Sequence, residues 1–140
     1  MFGIEENGLT AEIYEKLRDL VAFQHYEKWD VEQALTNSLY TVVIWDEKRP
    51  VGMGRVVGDG KVAFFFKDIV VDPKYLKQGI GSMVMNALMK YVYQNGCNNA
   101  YLALLSTPGK EAFYEQFGFQ VRPCKGLGSG MSQYIIKNRL

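Results

Sequence analysis

Apolar residues near the start of the chain recur at helical spacing, and further along they form short runs bounded by turn residues. A helix is predicted over Thr10–Phe23, with Thr10 as a possible cap, and a second helix after Asp30, which has capping-box spacing to Gln33. The apolar face of the first helix consists of Ile13, Leu17, Leu20 and Val21. Three strands in an antiparallel meander follow, and their predicted ranges are Leu39–Asp46, Val51–Val57 and Lys61–Asp72.

The second half of the chain predicts one long helix followed by shorter elements. Apolar residues at i, i+3, i+4 and i+7 run from Ile80 to Val92 and predict a helix over Gly79–Asn95. The remaining predicted elements are a strand at Tyr101–Leu105, a helix at Pro108–Phe117, and strands at Gly118–Arg122 and Met131–Lys137. The predicted order is therefore α-α-β-β-β-α-β-α-β-β, with no internal repeat.

Composition narrows the class of protein. A chain of 140 residues is the size of one ordinary domain, so we expect a single domain over residues 1–140. Hydrophobic residues make up 48% and charged residues 22%, as in soluble globular proteins. The net charge of +1 provides no basic field for a nucleic-acid backbone or anionic lipid, so neither partner is expected.

Cysteine and histidine are too few and too scattered for a metal site. Cys97 and Cys124 fit no metal-ligand or redox spacing, and His25 is the one histidine in the chain. No apolar run approaches the roughly 18 residues that span a bilayer, and the first ten residues have no signal region. We therefore expect a cytoplasmic protein with free thiols, no metal and no membrane association.

The segment DIVVDPKYLKQGIGSMV joins the third predicted strand to the long helix through a glycine-rich turn. Gly79 and Gly81 let the backbone approach a ligand, and the first N–H groups of the helix, at the positive end of its dipole, would hold a phosphate. The turn has no Walker pattern, and it lacks the third glycine of the Rossmann pattern. The alternative is that these glycines only permit a tight turn and close packing of helix on sheet.

Two ordered motifs resemble the GNAT superfamily of N-acetyltransferases. The first is Val71-Asp72-Pro73 followed by Leu76-Lys77-Gln78-Gly79-Ile80-Gly81, which is similar to the family's acyl-CoA pyrophosphate loop, Gln/Arg-x-x-Gly-x-Gly/Ala. The second is the aromatic-Tyr pair followed by Gly-Phe within Ala112–Phe119. The chain departs from the family pattern at Leu76, where Gln or Arg is preferred, and at Lys77, where glycine is frequent.

The resemblance implies an α/β (α+β) fold, with a mixed, mostly antiparallel central sheet, helices on both faces, and strands that splay at the acyl-CoA site. It also implies acetyl-CoA as the co-substrate. The residues that would bind it are Ile69, Val70, Val71, Lys77, Gln78, Gly79, Ile80, Gly81 and Ser82. A backbone N–H near Val70 or Val71 would donate to the thioester carbonyl oxygen.

Two catalytic candidates follow from the same resemblance. Tyr114 would act as general acid, because a phenol is protonated at pH 7 and can donate to a departing thiolate; the alternative is a place in an aromatic core cluster. Asp68 interrupts an apolar run where several family members carry a proton acceptor. Its low ordinary pKa favours positioning the substrate or holding a relay water, and the alternative is a structural carboxylate.

His25 and Trp29 lie where the first two helices of the family cover the acceptor site, so we expect them to contact substrate. The alternative for His25 is an ordinary surface or packed residue. Arg55 and Asp59 flank the hairpin GRVVGDG and could pair with each other or face the acceptor groove. A solvated turn is the preferred interpretation of both.

The sequence thus predicts an N-acetyltransferase that moves an acetyl group directly from acetyl-CoA to a primary amine of a small molecule. The alternatives are a non-catalytic acyl-CoA-binding module or sensor, and a protein-interaction domain without a CoA site. Edge strands at the C-terminus would also allow a homodimer.

Overall fold

The structure, a computed structural model, describes residues 1–137. Its contacts divide the chain into two compact units, Met1–Leu104 and Leu105–Leu140. The single domain expected from chain length stays a prediction.

The first unit is built on a five-stranded sheet in the order β1-β2-β3-β4-β5. The strands are β1 Phe2–Glu6, β2 Tyr40–Asp46, β3 Arg49–Gly58, β4 Ala63–Val71 and β5 Tyr101–Leu104. The first four strands pair antiparallel and β5 pairs parallel to β4, which confirms the mixed, mostly antiparallel sheet. The strand β1 was not predicted, because its glutamates and exposed side chains carry no apolar run.

Three helices belong to this unit, and their ranges are α1 Ala11–Leu20, α2 Lys28–Thr36 and α3 Ile80–Asn95. The Thr10 hydroxyl accepts a hydrogen bond from the Ile13 N–H (3.3 Å), so the predicted cap of α1 is confirmed. The predicted capping box at Asp30 is wrong, because α2 begins before it, at Lys28.

Helices α1 and α3 pack on opposite faces of the sheet, as expected. Alternate residues of a strand point to opposite faces, and β3 shows both. Met53 lies in a buried cluster with Leu17 of α1, whereas Gly52 and Gly54 lie against α3. A Cβ at Gly54 would stand 2.6 Å from the Val84 Cγ1, so glycine lets α3 approach the sheet closely.

A bulge interrupts β4 near the end of the strand. Met53 pairs with Val70 and Arg55 with Lys67, so that one residue of β3 faces two residues of β4. Asp68 lies in this bulge with φ +57°, in the left-handed region. Among the amino acids, glycine, asparagine and aspartate adopt this region most readily. The burial of alternate residues along β4 conceals this irregularity in the sequence.

A short helix, α4, forms at Glu111–Glu115 in the second unit. The strands predicted at Gly118–Arg122 and Met131–Lys137 do not form among the described residues, where Cys124 and Leu127 make an isolated bridge. An apolar run favours a strand only when a neighbouring strand supplies its hydrogen bonds, and Tyr134 and Ile135 are instead exposed.

Within residues 1–137, the helices are all too short or too polar to cross a bilayer. The same residues bring no three His, Cys, Asp or Glu side chains into an arrangement that would hold a metal ion.

Substitution of Gly54 by alanine should destabilise the protein by about 1–3 kcal/mol, because the new methyl group would force α3 away from β3. Chemical denaturation monitored by circular dichroism measures this loss. Gly3→Ala is the matched control, since a Cβ at Gly3 meets no described atom within 4 Å. Equal unfolding midpoints for Gly54→Ala and the wild type would contradict the close approach of helix and sheet.

Candidate functional site

Strand β4 extends past the end of β5. The last pairing between these two strands joins Phe66 to Leu104, and β4 then continues through Lys67–Val71. Backbone groups of this extension therefore have no pairing partner in β5, and the predicted splay of the two strands stays a prediction.

The chain after β4 is held to the sheet by Asp72, whose side chain is almost fully buried. Its carboxylate accepts hydrogen bonds from the Lys74 N–H (2.9 Å) and from Arg49 (3.2 Å). The Tyr75 hydroxyl donates to Asp46 at 2.7 Å, and this bond raises the pKa of Tyr75. These bonds fix the 3-10 helix Pro73–Tyr75 and thereby the start of the next loop.

The loop leading into α3 adopts the left-handed conformation twice, at Lys77 (φ +64°) and at Gly79 (φ +84°). Gly79 is the N-cap residue of α3, and a Cβ there would meet no described atom within 4 Å. Lys77 thus adopts a conformation that glycine adopts without strain, and glycine is frequent at this position in the GNAT loop that the sequence resembles. Gln78 between them is exposed, so this loop is open to a ligand.

The N-terminus of α3 is anchored to the sheet by its first residue. Ile80 is 1% exposed and packs where β3 carries Gly52, so its contribution to a ligand site is limited to its backbone. The Met83 N–H donates to the Gly79 carbonyl (3.0 Å), and the N–H groups of Gly81 and Ser82 precede this hydrogen-bonded turn.

The charge of this helix end suits an anion. The first turn of α3, all of it within the described residues, has no acidic side chain. The helix dipole and the forward N–H groups therefore present positive potential that no carboxylate of this turn cancels. The predicted residues Lys77, Gln78, Gly79, Gly81 and Ser82 are brought together here.

Asp68 does not face solvent. Its carboxylate side chain is 0% exposed and accepts hydrogen bonds from the Tyr14 hydroxyl (3.1 Å), from Arg18, and from the Arg55 Nε (3.0 Å). Burial and the Asp68 charge raise the pKa of Tyr14 to about 12. These four residues, Tyr14, Arg18, Arg55 and Asp68, form a buried cluster that we call the carboxylate clamp.

The arginines of the carboxylate clamp reach further. The Arg18 guanidinium donates to the Gln24 carbonyl oxygen (2.7 Å) and lies 5.1 Å from the centre of the Phe23 ring. Arg55 donates to the Ser38 hydroxyl at 3.1 Å. The interpretation of Arg55 as part of a solvated turn is therefore wrong.

Asp59 does serve that hairpin turn. Its carboxylate accepts hydrogen bonds from the backbone N–H groups of Lys61, Val62 and Ala63, at 2.8 to 3.0 Å. These bonds lower the pKa of Asp59 and account for its place in the turn.

The two predicted acceptor-site residues are both exposed and lie four residues apart in sequence. His25 is exposed and lines a narrow groove with Tyr14, Arg18 and Tyr26. Trp29 lies in the first turn of α2 and is 68% exposed. The groove places His25 next to the carboxylate clamp.

Tyr114 belongs to the second unit, in α4. Its ring centre lies 5.2 Å from that of Phe113 and 6.4 Å from that of Phe119, both in edge-to-face geometry. The aromatic cluster proposed as the alternative is thus present around it. Burial raises the pKa of the Tyr114 phenol, so the hydroxyl remains a proton donor at neutral pH.

Tyr14 and Arg18 were not identified from the sequence as partners of Asp68, although the sequence contains a pattern that indicates them. They are four residues apart in α1 and therefore share a helix face. An aspartate inside the apolar run FFFKDIVV requires a buried cation, and the arginines were the candidates.

Comparisons with known proteins support the family resemblance. The family profile described as "Acetyltransferase (GNAT) domain" matches residues 37–121, more than half of the chain. The chain is 32% identical over 118 residues to GCN5-related N-acetyltransferase 1, chloroplastic, from Arabidopsis thaliana, covering 83% of this chain and 59% of that protein. It is 30% identical over 127 residues to serotonin N-acetyltransferase 2, chloroplastic, from Oryza sativa subsp. japonica, covering 84% and 61%.

Solved structures share the fold. A probable acetyltransferase from meticillin-resistant Staphylococcus aureus, described as a protein of unknown function, superposes with a TM-score of 0.87 at 32% identity, covering 96% of this chain and 100% of that one. Glucosamine-6-phosphate N-acetyltransferase from Arabidopsis thaliana superposes with a TM-score of 0.71 at 19% identity, covering 97% and 99%, which shows the fold alone.

The chain spans 59% and 61% of the lengths of the two curated plant relatives. With the profile matched over more than half of its residues, it belongs to the GNAT family of acetyltransferases.

Proposed function

We propose that this protein is an N-acetyltransferase that moves an acetyl group from acetyl-CoA directly to a primary amine of a small molecule. The observation that carries the proposal is the open loop at Lys77–Gly79, which leads into a helix N-terminus beside a strand extending past its neighbour. Family membership supports the transferase activity. A cytoplasmic location and a homodimer remain proposals.

The residues present fit acetyl-CoA. Its pyrophosphate would be held by the N–H groups of Gly81 and Ser82 and by the exposed Lys77 and Gln78, because these surround the positive end of α3. The extended part of β4, Ile69–Val71, would hold the pantetheine arm through backbone groups. Acetyl-CoA supplies the acetyl group as a thioester.

The chain's own groups supply the remaining needs of the transfer. A backbone N–H near Val70 or Val71 would donate to the thioester carbonyl oxygen, where negative charge develops. Tyr114 would donate a proton to the departing sulfur, since burial keeps its phenol protonated.

A small-molecule acceptor is supported by the exposed side chains of His25 and Trp29, which are free to contact a ligand. The name of the rice relative, a serotonin N-acetyltransferase, makes aromatic primary amines the first acceptors to test. Trp29 offers an aromatic face of the kind that such amines stack upon.

Calorimetric titration should give saturable binding of acetyl-CoA and none of ATP. Gly79→Ala should weaken acetyl-CoA binding, because alanine at φ +84° is strained by about 1–2 kcal/mol and distorts the loop. Gly60→Ala is the matched control: Gly60 has φ +83° and a Cβ there would make only an ordinary contact, 3.6 Å from the Leu39 Cδ2, but it lies in the hairpin turn before β4. Absence of acetyl-CoA binding by the wild type would overturn the proposed function, and binding without turnover of any amine would favour the non-catalytic module.

Tyr114→Phe should lower kcat about 100-fold while acetyl-CoA binding remains unchanged, because the proton donor is lost. The phenol donates only below its pKa, which burial raises from 10.0, so wild-type kcat should fall as pH rises past that raised value. Steady-state kinetics across pH tests both statements. Tyr134→Phe, an exposed tyrosine of the same unit, is the control. Wild-type kcat in Tyr114→Phe would assign that tyrosine to the aromatic cluster alone.

A further inference from the structure

We infer that Asp68 is a positioning residue: held by Tyr14, Arg18 and Arg55, it maintains the bulge of β4 that directs the backbone of Ile69–Val71. The inference rests on the proposed function, in which this backbone binds the thioester. It assigns the carboxylate clamp a role in donor binding.

The bulge changes which face of the sheet the residues of β4 occupy. Phe64 contacts the Tyr91 ring on α3, with centres 6.5 Å apart. Val70 is an even number of residues further along, yet it packs in the cluster that contains Leu17 of α1. A regular strand would place both on one face, so the bulge at Asp68 carries the rest of β4 into a different register.

The side chain of Asp68 accounts for this conformation. Aspartate adopts a positive φ more readily than most residues, and at Asp68 the contacts of the carboxylate stabilise it. One carboxylate oxygen accepts a hydrogen bond from Arg18 and lies 3.8 Å from the Lys67 Nζ. The other accepts hydrogen bonds from the Tyr14 hydroxyl and the Arg55 Nε. Because these donors come from α1 and β3 as well as β4, the carboxylate is fixed relative to two neighbouring elements.

The same bonds leave Asp68 unsuited to accept a proton from substrate. Its side chain is 0% exposed, and both oxygens are occupied by charged or hydroxyl donors. A base would require an oxygen within reach of the attacking amine. Asp68 therefore acts through the backbone that follows it.

The carboxylate clamp also connects the donor strand to the predicted acceptor region. Arg18 binds the Asp68 carboxylate and also donates to the carbonyl oxygen of Gln24, the residue before His25. One buried guanidinium thus fixes the bulge of β4 and the loop that follows α1.

Tyr14→Phe is the sharpest test, because it removes one hydrogen bond to Asp68 and keeps the ring beside Arg18. Tyr40→Phe is the matched control. Tyr40 is a buried residue of β2, in the sheet that contains the bulge, and its hydroxyl also donates to a carboxylate, that of Glu6, at 2.6 Å. We expect Tyr14→Phe to raise the Kd and KM for acetyl-CoA about tenfold, as misplaced supporting groups do, and Tyr40→Phe to change neither.

Amide hydrogen exchange at Ile69–Val71 provides a readout that needs no ligand. Exchange there should be faster in Tyr14→Phe than in Tyr40→Phe when both are compared at equal distance below their unfolding temperatures. Equal exchange in the two variants would overturn the inference. If wild-type protein fails to bind acetyl-CoA, the proposed function fails, and exchange still decides whether the carboxylate clamp holds the bulge.

Asp68→Asn separates positioning from proton transfer. A positioning role predicts a raised KM for acetyl-CoA with a pH profile of wild-type shape. Loss of the acidic limb of the profile at unchanged KM would instead identify Asp68 as the base and contradict the inference. Should Asp68→Asn fail to fold, the Tyr14→Phe comparison decides alone.

Discussion

The buried Asp68 carboxylate is the constraint on which the arrangement of the first unit depends. An ionised carboxylate excluded from water must be paired, and here the partners are Arg18 and Arg55. Removing one partner of such a buried pair typically costs about 3–5 kcal/mol, because the remaining charge stays buried without compensation. The requirement joins α1, β3 and β4 at one point, and the bulge lies at that point.

On the opposite face, the constraint is steric. Gly52 and Gly54 leave room for α3 to pack close to β3, with Ile80 buried at its first turn. The helix N-terminus is thereby held near the end of β4, where the Asp72 bonds also fix the connecting loop. The ion pairs of Asp68 on one face position the extension of β4. The packing of α3 against glycine on the other face positions the helix N-terminus, and these are the two parts of the proposed donor site.

The balance of charge is consistent with this construction. A net charge of +1 supplies no overall positive field, and the proposed anion site would depend on oriented backbone N–H groups instead. A site of this kind selects by shape, since the N–H groups are fixed in direction by α3. In the proposed site, the exposed side chains of Lys77 and Gln78 would add to the donors that the backbone provides.

The sequence by itself determined the elements that depend on local periodicity and turn chemistry: the meander, the long helix α3 and the glycine loop that starts it. It also carried the motifs that indicate the family. Only the tertiary structure decided what depends on residues distant in the chain. The pairing of Asp68 with Arg18, 50 residues away, and the edge strand β1 leave no local pattern. The bulge is likewise invisible because alternate residues of β4 remain buried through it, although the face they contact changes.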